Sequence, residues 1–490
     1  MMKARAALLF SGIIILSIFL AFWKLDQVDL EASEDIYVAD AVGYLRGDLF
    51  MVPRQHLRKP HAPASPHPFL VPFLSAELMK RFGLSLVSAR YLQAGATVVT
   101  VGIIMLLTYR MFGSISIAVA SGLIFITTPL AVRFGRMAIL DPILSLLLAM
   151  GMLWSWEVRR GGKVGLVYAS FIGLSLGLSI STKLSGVFYF LPIGLVFIWL
   201  FFKKRNFYFL WVFILSLITM AFVFILFNDP YSYIYGWTHF SDPKSQNVGL
   251  MAIAKGIVAY HYWYLFVTTL TGLPIIMLLV NSIIRYSNRF WINFSKFFLF
   301  AWVLGPLSYL ILNPPHITGL SAEWAYVPLF VPLSIIAGYS FIDLWNTFSP
   351  KIMRQQILIA FVGYFLVTLI PLYWYGLRFR PLPLAAYRSA RNVVNGDLAV
   401  TKTITLLNSD PRPIKLLVVL KSVGFPLWFL NNNVLSEPMY HQLTWYDYVV
   451  TDNLDLVEKV KIEKLILVSS EKNPTEDTVY LFKNLHIPSK

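Results

Sequence analysis

The chemistry-bearing residues of this chain gather in a few short stretches. The first runs Glu31-Ala-Ser-Glu34-Asp35-Ile-Tyr37 and continues through Asp40, Tyr44, Gly47 and Asp48. Carboxylates packed so closely can take a proton from a hydroxyl group or bind a cation. Acids in the first turn of a helix also complement its dipole, which is the plainer role for one or two of them. A second group is Arg133, Arg136 and Asp141, and a third is Lys183 after Thr182. Arginine engages two phosphate oxygens with its planar fork, and lysine supplies a compact point charge. Snorkelling at a membrane interface is the competing role for Arg133 and Lys183. His67, before Pro68, suits either a ligand or a packed ring. Carboxylate and imidazole together suit a divalent cation, yet no Glu/His spacing here specifies one and no other cofactor is implied. The chain has no cysteine, which excludes a thiol nucleophile, disulfides and Cys-ligated zinc.

These residues need elements to position them. Ile36, Ala39, Val42 and Leu45 recur at threes and predict a short surface helix carrying the acids of the first stretch. The elements around it are membrane spans. The chain is 57% apolar and only 13% charged, against about a quarter charged in soluble domains. Runs of about 20 apolar residues, enough to cross about 30 Å of hydrocarbon, recur along it. The first is Ala6–Trp23, with no small-residue cleavage site after it, so it reads as a retained helix. Further spans are expected at about 90–109, 115–132, 140–157, 165–181, 184–202, 208–227, 261–284, 297–313, 325–345 and 357–375. Pro68–Arg81, with two prolines and three charges, reads as an amphipathic helix at the outer interface. A full crossing there would invert everything downstream.

Alternate connections between the spans hold 14 lysines and arginines against one acid, Glu157. The positive-inside rule assigns that set to the cytoplasm, so the net charge of +16 needs no nucleic-acid partner. The loop 24–87 falls on the opposite side, as do all eight histidines, so the chemistry is expected on the non-cytoplasmic face. The N-terminus is then cytoplasmic. Residues 1–375 read as a transmembrane domain of about eleven helices. In 376–490 the runs Lys415–Leu420, Tyr448–Thr451 and Leu465–Ser469 predict a small external α/β domain.

The first stretch resembles the first external loop of the GT-C glycosyltransferases, in the branch of the protein O-mannosyltransferases and lipid A aminoarabinose transferases. That branch reads Asp-Glu-x-x-Tyr, then a helix ending Gly-Asp, then His-Pro-Pro-Leu. Glu34, Tyr37, Gly47 and Asp48 stand at those spacings, and His67-Pro68-Phe69-Leu70 is similar to the last element. Thr128-Pro129 leading to Arg133, Arg136 and Asp141 resembles the second loop, and Thr182-Lys183 the Thr-Lys element. The likeness covers residues 1–200. One position departs from it: where the family has its first-loop Asp, usually assigned as the catalytic carboxylate, this chain has Ser33.

The resemblance implies transfer of a sugar from a polyprenyl-phosphate carrier to a protein, lipid or glycan acceptor, with inversion, at the outer face of what is expected to be a prokaryotic plasma membrane. A first-loop carboxylate would act as general base, with Glu34 first, then Asp35 and Glu31. A cationic site of Arg133, Arg136 and Lys183 would hold the leaving phosphate, with Asp141, Tyr37 and His67 also touching substrate. Two other classes compete. A secondary transporter would carry midplane charge and repeated halves, of which the spans show little. A lipid-binding scaffold that has lost catalysis is favoured by Ser33.

Overall fold

Serine caps and glycine stops punctuate the apolar runs and cut them into helices. The computed structural model describes residues 2–25, 32–46, 70–162, 164–227, 293–312 and 327–347, with shorter pieces between 355 and 483. Its helices are α1 (Met2–Phe22), α2 (Ala32–Arg46), α3 (Leu70–Phe82), α4 (Leu86–Phe112), α5 (Ile115–Thr127), α6 (Pro129–Gly135), α7 (Asp141–Val158), α8 (Val164–Thr182), α9 (Phe190–Lys204), α10 (Tyr208–Phe227), α11 (Phe294–Leu312) and α12 (Val327–Thr347). Expected span 261–284, and 357–375 apart from Gly363, lie outside the described residues.

The turn between α4 and α5 shows the local logic. The Ser85 hydroxyl accepts from the Ser88 N–H at 3.2 Å and starts α4. Gly113, at φ +65°, ends it and sends its N–H to the Tyr109 carbonyl. Ser114 then caps α5 through the Ile117 N–H. The expected single span 115–132 is in fact two helices, α5 and α6, meeting at 65°. Pro129 is the cause: it lacks an N–H and forces the residue before it, Thr128, into an extended conformation (φ −68°, ψ 118°). α3 has 13 residues, about 20 Å of helix, too short to cross a bilayer. It buries Leu70, Val71, Ala76 and Met79 and exposes Lys80 and Arg81 at its end.

Among the described residues, four helical segments are long and apolar enough to span a membrane: Leu86–Phe112, Val164–Thr182, Ser185–Lys204 and Tyr208–Phe227. The α5–α6 pair makes a fifth if counted as one broken span. Exposed Trp211, Ile218, Phe222 and Ile225 line the outer side of α10, a face that needs lipid against it. This is an integral membrane protein. Within it, small residues let helices meet at backbone distance. A Cβ on Gly173 would lie 2.4 Å from the Ser216 carbonyl oxygen of α10, and one on Gly177 2.7 Å from Val223.

A five-stranded sheet lies within 414–483, as β1 (Ile414–Val419), β2 (Val434–Ser436), β3 (Tyr448–Thr451), β4 (Ile466–Lys472) and β5 (Thr478–Lys483). Its order is β2-β1-β3-β5-β4. β1 runs parallel to β2 and β3, and β5 antiparallel to β3 and β4. Val449 and Phe482 bury one face against Leu456, Val457 and Val460. The three predicted strands coincide with β1, β3 and β4, and the mix of parallel pairing and helix is α/β in kind.

Candidate functional site

Two ion pairs, one buried and one partly buried, organise the bundle around α2 and α7. The first joins α2 to α4. Glu34 and Arg90, both essentially without exposure, meet side-on: Arg90 Nε donates to Glu34 Oε1 and Nη2 to Oε2, each at 2.6 Å. Arg90 Nη1 also donates to the Leu25 carbonyl beyond the end of α1, at 2.9 Å. The Glu34 Oε1 atom accepts a third bond, from the Ala138 backbone N–H at 2.7 Å. This pairing is consistent with the rotation of α2. Of the face expected to be apolar, Val42 is fully buried and Leu45 packs against the same cluster, while the side chains of Ile36 and Ala39 lie outside the description; Val38 and Ala41 are buried beside them, packed with Ala76, Met79, Ala89 and Ala138. Glu34 lies one turn before Val38 on that face, and its bond to Arg90 requires that the face turn inward.

The segment 136–139, between α6 and α7, is held from several sides. Glu34 takes the Ala138 N–H, Gln93 Nε2 donates to the Ile139 carbonyl at 3.2 Å, and Arg136 Nη2 donates to the Trp23 carbonyl. Arg136 is wholly buried, and Arg133 is 4% exposed. Burial first, and then the charge of Arg90, presses the Arg136 pKa below that of a free guanidinium. Arg136 is thus held at the Trp23 carbonyl and lies within the electrostatic reach of Arg90.

The pinned segment delivers Asp141 to the first position of α7. There it meets Lys183, whose Nζ donates to Oδ1 at 2.8 Å and Oδ2 at 3.0 Å. Lys183 stands where α8 stops, in extended conformation (φ −157°, ψ 138°), ahead of a 3-10 turn over Leu184–Tyr189. That turn folds tightly back on α8: Gly186 donates to the Lys183 carbonyl, and a Cβ at Gly186 would sit 2.6 Å from the Ser179 carbonyl. Burial opposes the Lys183 ammonium, but Asp141, with Tyr309 and Tyr37, outweighs it and holds the pKa above that of an ordinary lysine.

Tyrosines surround this pair. Tyr37 of α2 lies in the electrostatic field of Lys183, Asp141 and Tyr309, and also of Asp40. Its own hydroxyl is pushed to a higher pKa, chiefly by burial. Asp40, 7% exposed, also acts on Tyr44, which burial and then this carboxylate push up to about 12. The Lys183 Nζ sits 5.8 Å from the Tyr309 ring centre. On its other contact, Tyr309 meets Phe188 at 5.6 Å. Phe188 lines an apolar groove of about 530 Å³ between the 3-10 turn with α9 and Ser308 of α11, whose walls include Val187, Leu191, Gly194 and Ile198.

The structure thus brings together Tyr37, Asp141 and Lys183 from the expected set, and pairs Glu34 with Arg90. Asp35 lies on α2, its side chain outside the description, and Glu31 and His67 lie outside the described residues. Among the described residues no three His, Asp or Glu side chains converge as a metal site. Sequence reasoning missed Arg90, Gln93 and Tyr309. A lone arginine at the head of an apolar span was the available signal for Arg90, since such a charge needs a buried partner; a tyrosine late in an apolar span gives none.

Comparison with known proteins bears on family and fold. The curated undecaprenyl phosphate-alpha-4-amino-4-deoxy-L-arabinose arabinosyl transferase of Enterobacter sp. (strain 638) is 26% identical over 271 residues, 52% of this chain and 46% of that protein. The match therefore spans about half of that relative's length. The crystal structure of ArnT from Cupriavidus metallidurans bound to undecaprenyl phosphate superposes with a TM-score of 0.62 at 14% identity, covering 98% of each chain. The Archaeoglobus fulgidus oligosaccharyltransferase in complex with Zn and sulfate gives 0.57 at 12% identity, covering 96% of this chain and 73% of that one. At these identities the two structures speak for the fold. The family described as dolichyl-phosphate-mannose-protein mannosyltransferase matches residues 11–300. That range takes in both ion pairs, and the chain is a member of this family, within the GT-C superfamily.

Proposed function

We propose that the chain transfers a sugar from a polyprenyl-phosphate-linked donor to a hydroxyl-bearing acceptor at the non-cytoplasmic face, with inversion at the anomeric carbon. The observation that carries the reading is the Lys183–Asp141 pair joined through Tyr309 and Phe188 to an apolar groove along α9. A cation beside a greasy channel suits a phosphate on an isoprenoid tail, and a relative of the same fold has been solved with undecaprenyl phosphate. In this scheme Lys183 pairs with the donor phosphate and stabilises it as it leaves. Asp141 orients Lys183 before the donor arrives.

Inversion requires the attacking oxygen and the leaving oxygen to lie on opposite sides of the anomeric carbon. A base bonded directly to the phosphate-side cation cannot meet that requirement, which argues against Asp141. Glu34 already accepts three hydrogen bonds and is fully buried, which favours an anchoring role for it. Positions 33, 37, 40 and 44 share one stripe of α2 at helical spacing. Asp40 therefore stands on the stripe that carries Ser33, where the family has its aspartate, and within the field of Tyr37. We assign Asp40 as the first-loop carboxylate that takes the proton. The acceptor oxygen bonds the anomeric carbon, the carbon–phosphate-oxygen bond breaks, its electron pair stays on the lipid phosphate, and the acceptor proton goes to Asp40.

Sugar transfer from a polyprenyl-phosphate donor to a hydroxyl acceptor tests this. Asp40→Asn is expected to lower kcat by about 10²–10⁴, with Asp35→Asn and Glu31→Gln near wild type. Loss at Asp35 or Glu31 with Asp40→Asn active would move the base along the loop. No transfer by the native chain with any donor tried would favour a binding scaffold.

A further inference from the structure

A second cleft lies at the far end of α7 from Asp141, 16 residues on at Glu157, or about 24 Å along the helix. Here the α7–α8 turn, with Gly161 and Gly162 at φ +74° and +81°, faces the α9–α10 turn, where Arg205 has φ +49°. Between them is a cavity of about 470 Å³ whose lining includes Arg160, Gly162, Leu166, Lys204, Asn206 and Tyr208. Its walls are braced across the gap. Lys204 Nζ donates to the Arg159 carbonyl at 2.7 Å, and Tyr208 Oη donates to the Gly162 carbonyl at 2.8 Å. Arg159 is stacked 3.7 Å from the centre of the Trp156 ring.

The charge here is one-sided. Glu157 is paired with Arg160 at 2.9 Å and lies 4.0 Å from Arg110, while Arg159 adds a cation on the α7–α8 turn and Lys203, Lys204 and Arg205 three more at the α9–α10 turn. Below the cavity the surface turns abruptly apolar: Val164, Leu166, Val167, Phe207 and Trp211 are between 47% and 67% exposed. A cationic cleft above an exposed apolar face matches one amphiphile, a phosphate with acyl chains attached. We propose that this cleft is a binding site for an anionic phospholipid, its phosphate between Arg160 and Lys204 and its chains against Leu166 and Trp211. The site does not depend on the glycosyl-transfer reading, since it shares no residue with the Lys183 cluster.

The test is phospholipid retention, read by native mass spectrometry of the full-length protein purified from mixed phosphatidylglycerol and phosphatidylcholine nanodiscs. Wild type is expected to retain phosphatidylglycerol over phosphatidylcholine by on the order of tenfold. Arg160→Gln with Lys204→Gln should bring the two lipids to parity, and Arg160→Lys with Lys204→Arg should restore the preference even if the glutamine pair folds poorly. Lys80→Gln with Arg81→Gln, removing equal charge from the exposed end of α3, should leave it unchanged. Equal retention of both lipids by wild type, or equal loss from the α3 pair, would overturn the proposal. Displacement of the lipid by inorganic phosphate at matched concentration would reassign the cleft to free phosphate and also defeat it.

Discussion

Replacing Glu34 by Gln separates an anchor from a base. The amide keeps the shape of the side chain but leaves the Arg90 guanidinium, 1% exposed, without its counter-charge. It also turns an NH₂ toward an N–H donor of Arg90 or toward the Ala138 N–H, since both carboxylate oxygens now accept. Removing one partner of a buried pair costs about 3–5 kcal/mol. Removing both, as in Glu34→Leu with Arg90→Met, should cost less than the single change, because no charge is stranded. About 1–3 kcal/mol remains for the orphaned Ala138 N–H. The assay is apparent Tm in detergent at one fixed scan rate, for both single variants and the double, so that the cycle yields the coupling. The expected order is wild type, then the double variant, then Glu34→Gln, with sugar transfer by the Gln variant reduced in proportion to folded protein and with an unchanged pH profile. A Glu34→Gln protein as stable as wild type but inactive by more than about 10² would refute this reasoning and return the proton-accepting role to Glu34.

Other outcomes follow from the same geometry. Lys183→Met should reduce kcat by about 10²–10³, as expected for losing one group that stabilises a leaving charge, and Lys183→Arg should restore part of it. Because the folded state raises the Lys183 pKa, the stability it contributes is complete below the pKa of a free lysine, about 10.4, and is lost only as pH rises through the higher folded value. Donor binding followed by fluorescence or calorimetry should therefore be flat with respect to this group from about pH 6 to pH 9. Gly173→Val must push the Ser216 backbone away, since even a Cβ would lie 2.4 Å from its carbonyl oxygen; a loss of about 1–3 kcal/mol is expected, read as a lower Tm with the Lys183 site otherwise intact. Leu191→Lys and Ile198→Lys in the groove should raise KM for a long-chain lipid donor far more than for a short-chain one, and equal effects on both would detach the groove from the lipid tail.

The sequence by itself marked the apolar helices that the described residues contain, because length and hydropathy are local properties, and a bilayer leaves few alternatives to a helix. It marked three of the five strands of the C-terminal sheet, but the break at Pro129 and its 65° bend, read as one span, emerged only in the structure. It also singled out Asp141, Lys183 and Tyr37, through short motifs whose order along the chain carries information. The tertiary structure alone decided what those residues do to each other. Glu34 and Arg90 are 56 positions apart, and Asp141 and Lys183 are 42 apart; nothing in the spacing of either pair marks a contact. On α2 the expected Val42 and Leu45 do pack inward, but periodicity weighs apolar residues and cannot foresee a buried carboxylate, Glu34, whose partner sits on another helix. Pairing charges out of water requires a specific partner at a specific distance, and that information exists only once the helices have packed.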